Sequence, residues 1–130
     1  LMSHSFCRGS GIFEVMRLHK TEKGRAIFRL DDHLDRLQRT ADLLGMTLPM
    51  ERKAFAAAIS ETVRGNTVEN GYVKLICYYG HVAVKVMPNQ KTMDLCIAVI
   101  DPETDLEGET SQPDRPLHIT LCRTRKLHPE

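Results

Sequence analysis

Phe28-Arg29-Leu30-Asp31-Asp32-His33-Leu34-Asp35-Arg36-Leu37-Gln38-Arg39-Thr40-Ala41-Asp42-Leu43-Leu44-Gly45-Met46 runs a strand end straight into an amphipathic helix. Leu34, Leu37, Ala41 and Leu44 recur at i, i+3, i+7 and i+10, which puts them on one helical face. Asp31 and Asp32 are the N-cap candidates, because a short side-chain oxygen accepts an orphan amide of the first turn. Gly45 supplies the stop. Arg36 falls within the first turn or so, beside His33 and Arg39 in helical space. Free amides and the helix dipole favour an anion at such a start, and a guanidinium fork suits phosphate. On spacing alone, a solvated charge on a surface helix is the stronger reading of Arg36.

Before this helix, Gly9-Ser10-Gly11 forms a turn into the strand Ile12–Leu18, and Thr21-Glu22-Lys23-Gly24 is a hairpin turn returning through Ala26-Ile27-Phe28. After it, Pro49 closes a connection and Glu51–Val63 is a second helix, with Phe55, Ala58, Ile59, Thr62 and Val63 inward and Gly65-Asn66 at its end. Tyr72–Tyr79 is rich in β-formers and is expected to be a central strand. A loop follows from Gly80 to about Lys91. Leu95–Ile100 is a short apolar run of the kind buried on both faces, and Leu117–Cys122 alternates as a last strand beyond a solvated connector, Asp101–Arg115. Strands gathered around two consecutive helices predict an α+β domain with a mainly antiparallel sheet.

The 130 residues suit one domain or part of a larger one. A net charge of +1 gives no electrostatic argument for nucleic acid or an anionic membrane as a partner. No run has the apolar length of a membrane-spanning helix. The four cysteines, Cys7, Cys77, Cys96 and Cys122, are scattered without a CxxC pair, as expected of reduced core thiols in a cytoplasmic protein. His4, His33 and His128 lack metal-ligand spacing, so no metal site is expected. Gly9 and Gly11 precede a strand and are not a dinucleotide fingerprint. These residues alone say α+β domain and stop there.

Four stretches in order resemble the fold-type IV, pyridoxal-phosphate-dependent aminotransferases, above all the branched-chain amino acid transaminase group. They are Ser3-His4-Ser5-Phe6 with Gly9-Ser10-Gly11-Ile12-Phe13-Glu14, the helix quoted above, Asn70-Gly71-Tyr72-Val73-Lys74, and Leu127-His128-Pro129-Glu130. The resemblance implies that residues 1–130 are an incomplete N-terminal small domain, with the large domain elsewhere. It implies pyridoxal 5'-phosphate as cofactor, an amino acid and a 2-oxo acid as substrates, and a homodimer. Arg36 matches the arginine that grips the cofactor phosphate. Phe13 and Tyr72 match aromatics of the substrate pocket, although Phe13 is equally well a core strand residue. Val86 falls where relatives place a loop residue that reaches the partner subunit's active site. The Schiff-base lysine is expected beyond Glu130, so that Lys126 is not it and this chain alone is expected to be inactive.

Some positions depart from the pattern. Arg8 stands where branched-chain enzymes have a pocket tyrosine, Lys74 replaces an arginine, and the loop His81–Pro88 lacks its relatives' glycines. Arg8, if it faces the pocket, favours an anionic substrate side chain. Val15, where a glycine follows the Glu in branched-chain enzymes, leans toward D-amino acid transaminase or aminodeoxychorismate lyase as rivals within the fold. A non-catalytic truncated product is the rival outside it.

Overall fold

A computed structural model of the chain describes residues 2–88 and 91–106. The strand expected at Leu117–Cys122, most of the connector before it, and Lys126 to Glu130 lie outside the described residues. In order, the elements are α1 (His4–Arg8), β1 (Gly11–Thr21), β2 (Gly24–Ile27), α2 (Leu30–Leu43), α3 (Arg52–Arg64), β3 (Gly71–Tyr78) and β4 (Asp94–Ile100). The four strands form one sheet in the order β2-β1-β3-β4, antiparallel at every pairing. This is the expected α+β architecture.

Strict alternation along β1 gives the sheet two unlike faces. Ile12, Met16 and Leu18 join Val73, Leu75 and Cys77 of β3 against Leu34, Leu37 and Ala41 of α2 and Phe55, Ile59 and Val63 of α3, making one apolar core. Phe13, Val15 and Arg17 turn to the other face, where their β3 neighbours are Ile76, Lys74 and Tyr72. That face is open, and Phe13 is 61% exposed. The apolar run of β4 suggests burial on both sides, and the structure corrects this. Among the described residues it is an edge strand, whose Leu95, Ile97 and Val99 lean on the core while Cys96 and Ala98 are exposed. An apolar run too short to show a period leaves that choice open.

The hairpin between β1 and β2 turns as expected, with Gly24 at φ 113°. Phe28 lies just past β2, its amide on the Arg17 carbonyl. The start of α2 differs from the expectation. Asp31 and Asp32 lie inside the first turn, and the N-cap is Arg29, in the left-handed region at φ 52° with no side-chain cap bond. Its Nε donates to Asp32 at 2.7 Å, which draws the Asp32 carboxyl below its ordinary range and holds the unusual backbone. Asp31 instead accepts from Arg52, the first residue of α3. Gly45, at φ 63°, does end the helix, but Leu44, the C-cap beyond the last helical residue, is 57% exposed rather than inward. In α3, Ala58 and Thr62 are only partly covered, leaving Phe55, Ile59 and Val63 as its core face.

Cysteine exposure splits likewise: Cys77 is fully buried, whereas Cys7 and Cys96 are exposed and are not core thiols. Burial disfavours the thiolate and pushes the Cys77 pKa up to about 11. At pH 8 the group stays a shielded thiol, so the folded protein should resist alkylation at Cys77 until denaturant is added. Labelling at the rate of a free thiol would mean that β3 opens locally.

Candidate functional site

Glu14 is the one carboxylate in the buried row of β1, in phase with Ile12 and Met16, and it is 2% exposed. A buried carboxylate needs partners, and α2 provides two from positions one turn apart, His33 and Arg36. Arg36 Nε donates to Oε1 at 2.8 Å and Arg36 Nη2 donates to Oε2, a bidentate pair. His33 Nδ1 lies 2.8 Å from Oε2. An ionised carboxylate only accepts, so Nδ1 carries the proton. The bonds from Glu14, and then its charge, raise the Arg36 pKa above the ordinary arginine value, keeping it a cation.

Arg36 is the seventh residue of α2, about 9 Å along the axis from Leu30. Its side chain shares a concavity of about 380 Å³ with Phe28, Arg39 and the helix-start residues Arg29, Asp32 and His33. Three arginines line it, of which Arg29 is paired to Asp32 and Arg36 to Glu14. Arg39 is exposed and sits on this rim. The Arg36 side chain is 60% exposed, and its Nη1 has no partner among the described residues. A fork with one edge fixed and the other open toward a cationic hollow suits a phosphate group.

The residues expected at the substrate divide between three places. Phe13 lies in an apolar hollow of about 510 Å³ on the open sheet face, with Phe6, Ile76, Tyr78 and Cys96 among its walls. Tyr72 lies on the same face, about 13 Å further along the strands, under the Arg17 guanidinium. Between them Lys74 Nζ stands 5.7 Å from the Phe13 ring centre. Arg8 and Val86 line another hollow, with His4, Ser10, Tyr79 and Pro88. Arg8 reaches the Val84 carbonyl only at 3.5 Å.

His4 proves to be the tether of that region. It is buried, its ring meets Tyr79 edge-on, and its Nε2 contacts the Val86 carbonyl at 2.8 Å. A carbonyl only accepts, so Nε2 donates and, in the neutral ring, Nδ1 accepts from the Ser10 hydroxyl at 2.5 Å. The amide of His4 bonds the His81 carbonyl and that of Ser5 bonds the Tyr79 carbonyl. The short helix α1, not foreseen from sequence, thereby docks the loop after β3.

The fold and this site define a class. The family described as amino-transferase class IV matches residues 11–129, and the chain belongs to it. Its named relatives narrow the likeness. The branched-chain-amino-acid aminotransferase of Pseudomonas aeruginosa is 36% identical over 80 residues, which are 62% of this chain and 26% of that one. A putative branched-chain-amino-acid aminotransferase of Methanocaldococcus jannaschii is 28% identical over 111 residues, covering 84% of this chain and 36% of its own. Among solved structures, the T.th. branched-chain amino acid aminotransferase with pyridoxamine 5'-phosphate superposes with a TM-score of 0.72 at 32% identity, covering 79% of this chain and 35% of that one. A putative 4-amino-4-deoxychorismate lyase of Legionella pneumophila, at 17% identity and TM-score 0.66, covering 78% of this chain and 36% of its own, shares the fold. The chain thus spans between a quarter and about a third of the length of these curated relatives.

Proposed function

We propose that the full-length protein carrying this chain is a pyridoxal-phosphate-dependent aminotransferase, moving an amino group between an amino acid and a 2-oxo acid, with branched-chain amino acids as its first candidate substrates. The observation that carries this reading is the Arg36 fork: one edge held by Glu14, the other open to the cationic hollow beside α2. Arg36 would hold the cofactor phosphate, with Arg39 on the rim adding positive potential. When bound, the cofactor supplies an electron sink for the bond broken at the substrate's α-carbon.

The chain's own contribution is then binding and orientation. Phe13 and Tyr72 on the open sheet face are the proposed aromatic contacts of the substrate, and Lys74 between them offers a charge to a carboxylate. Arg8 and Val86 would act from the neighbouring hollow, on a loop whose Val82, Val84, Val86 and Met87 are exposed. Those apolar side chains support the proposed homodimer, in which this loop meets the second copy. Scattered cysteines fit a cytoplasmic enzyme. The large domain, with the lysine that anchors the cofactor, would lie outside residues 1–130. The lyase reading rests on a likeness of fold alone, whereas the relatives cited at higher identity are branched-chain aminotransferases.

The test is to load the full-length protein with pyridoxal phosphate and offer it L-valine, L-leucine, L-isoleucine, D-alanine and L-glutamate, each with a suitable 2-oxo acid. Formation of the matching 2-oxo acid from a branched-chain donor supports the reading. Turnover confined to D-alanine, or none at all, would contradict it.

A further inference from the structure

We propose that Glu14 is a positioning residue for the cofactor phosphate, acting through Arg36 and braced by His33. This rests on the reading of Arg36 as the phosphate ligand and adds the residue that makes Arg36 fit for the task.

Glu14 lies in the apolar row between Ile12 and Met16, where an unpaired carboxylate would be expelled toward water. It is held inside by three bonds on two oxygens, from Arg36 Nε, Arg36 Nη2 and His33 Nδ1. The bidentate pair fixes the plane of the guanidinium. Two of its five N–H groups are spent on Glu14, which leaves both on Nη1 and one on Nη2 along the opposite edge. A long, mostly exposed arginine would otherwise sample many rotamers, and a phosphate would have to order it on arrival. With Glu14 in place, that ordering is done when β1 and α2 pack. His33 keeps Oε2 turned toward Nη2 from the same helix.

Simple electrostatics predicts the opposite effect. Glu14 is an anion close to where a phosphate would sit, so removing its charge should tighten binding if charge alone mattered. Glu14→Gln keeps the size but faces Arg36 Nη2 with an amide N–H donor, which breaks the fork. The two accounts therefore differ in sign.

The experiment measures the pyridoxal phosphate dissociation constant of the full-length apoprotein by equilibrium titration, with the ³¹P resonance of the bound phosphate as a second readout. The variants are Glu14→Gln, Arg36→Lys, the double variant and His33→Ala. We expect Glu14→Gln to weaken binding about 10-fold and His33→Ala about 3-fold. Neither change should weaken binding further once Arg36 is lysine, because both act through the fork. The phosphorus resonance should move in Glu14→Gln and Arg36→Lys alike. Unchanged or tighter binding in Glu14→Gln, or a full additional loss in the double variant, would overturn the inference. If Arg36→Lys itself binds as firmly as the parent, the underlying reading of Arg36 fails instead. Should Glu14→Gln not fold, His33→Ala with and without Arg36→Lys decides the matter by the same non-additivity.

Discussion

Arg36→Ala in the full-length protein is expected to shed pyridoxal phosphate on dialysis, with a dissociation constant raised about 100-fold. The open edge of the guanidinium can give a phosphate two parallel charge-assisted bonds, each worth about 1.5–3 kcal/mol before coupling and water are counted. A net loss near 3 kcal/mol corresponds to roughly a hundredfold change. The same substitution leaves Glu14 with His33 alone. That should lower the stability of the apoprotein by about 1–3 kcal/mol, less than for a fully buried pair because Arg36 is largely in water. Arg36→Lys keeps the charge without the fork and should cost about tenfold in affinity. Arg39→Ala removes an exposed rim charge and should change affinity less than about threefold. Absorbance of the retained cofactor after dialysis ranks the three variants.

Phe55→Ala is expected to be the most damaging change to the fold, at about 3–5 kcal/mol. Phe55 is among the largest fully covered side chains, and α3 reaches the sheet through it, Ile59 and Val63. It belongs to one close-packed cluster with core residues of both helices and the sheet, where a cavity relaxes only in part. Leu44→Ala is the contrasting case, because its exposure leaves little apolar contact to lose, and it should shift the urea midpoint hardly at all. Equal shifts for the two substitutions would mean that the end of α2 packs as the apolar spacing suggests and not as found.

The sequence discloses the elements better than it discloses their ends. Leu34, Leu37 and Ala41 set α2 against the sheet as periodicity requires, and the alternation of β1 is plain in Ile12, Met16 and Leu18. Capping preference ranks Asp far above Arg and so points to the wrong N-cap, because the tertiary approach of α2 to α3 draws Asp31 to Arg52 and leaves Arg29 to turn the chain. Burial of β4 on both faces is the wrong expectation for want of any periodic signal in Leu95–Ile100.

The site is legible only in part. Resemblance points to Arg36, while spacing alone makes it a common surface charge. Glu14 passes as one letter of a motif, although it carries a signal: a carboxylate in phase with buried apolar residues must have a cationic partner nearby. His33 and Arg36, three apart on one helix face, are the natural candidates. What no spacing could give is which edge of the guanidinium that partner occupies, since the edge depends on how β1 and α2 cross.

The most direct measurement is a crystal structure of the full-length protein loaded with pyridoxal phosphate. The account predicts phosphate oxygens about 2.7–2.9 Å from Arg36 Nη1 or Nη2, in the hollow bounded by Phe28, Arg29 and Arg39, with Glu14 still paired to Nε. A phosphate bound elsewhere, with the Arg36 fork turned to solvent, would contradict it.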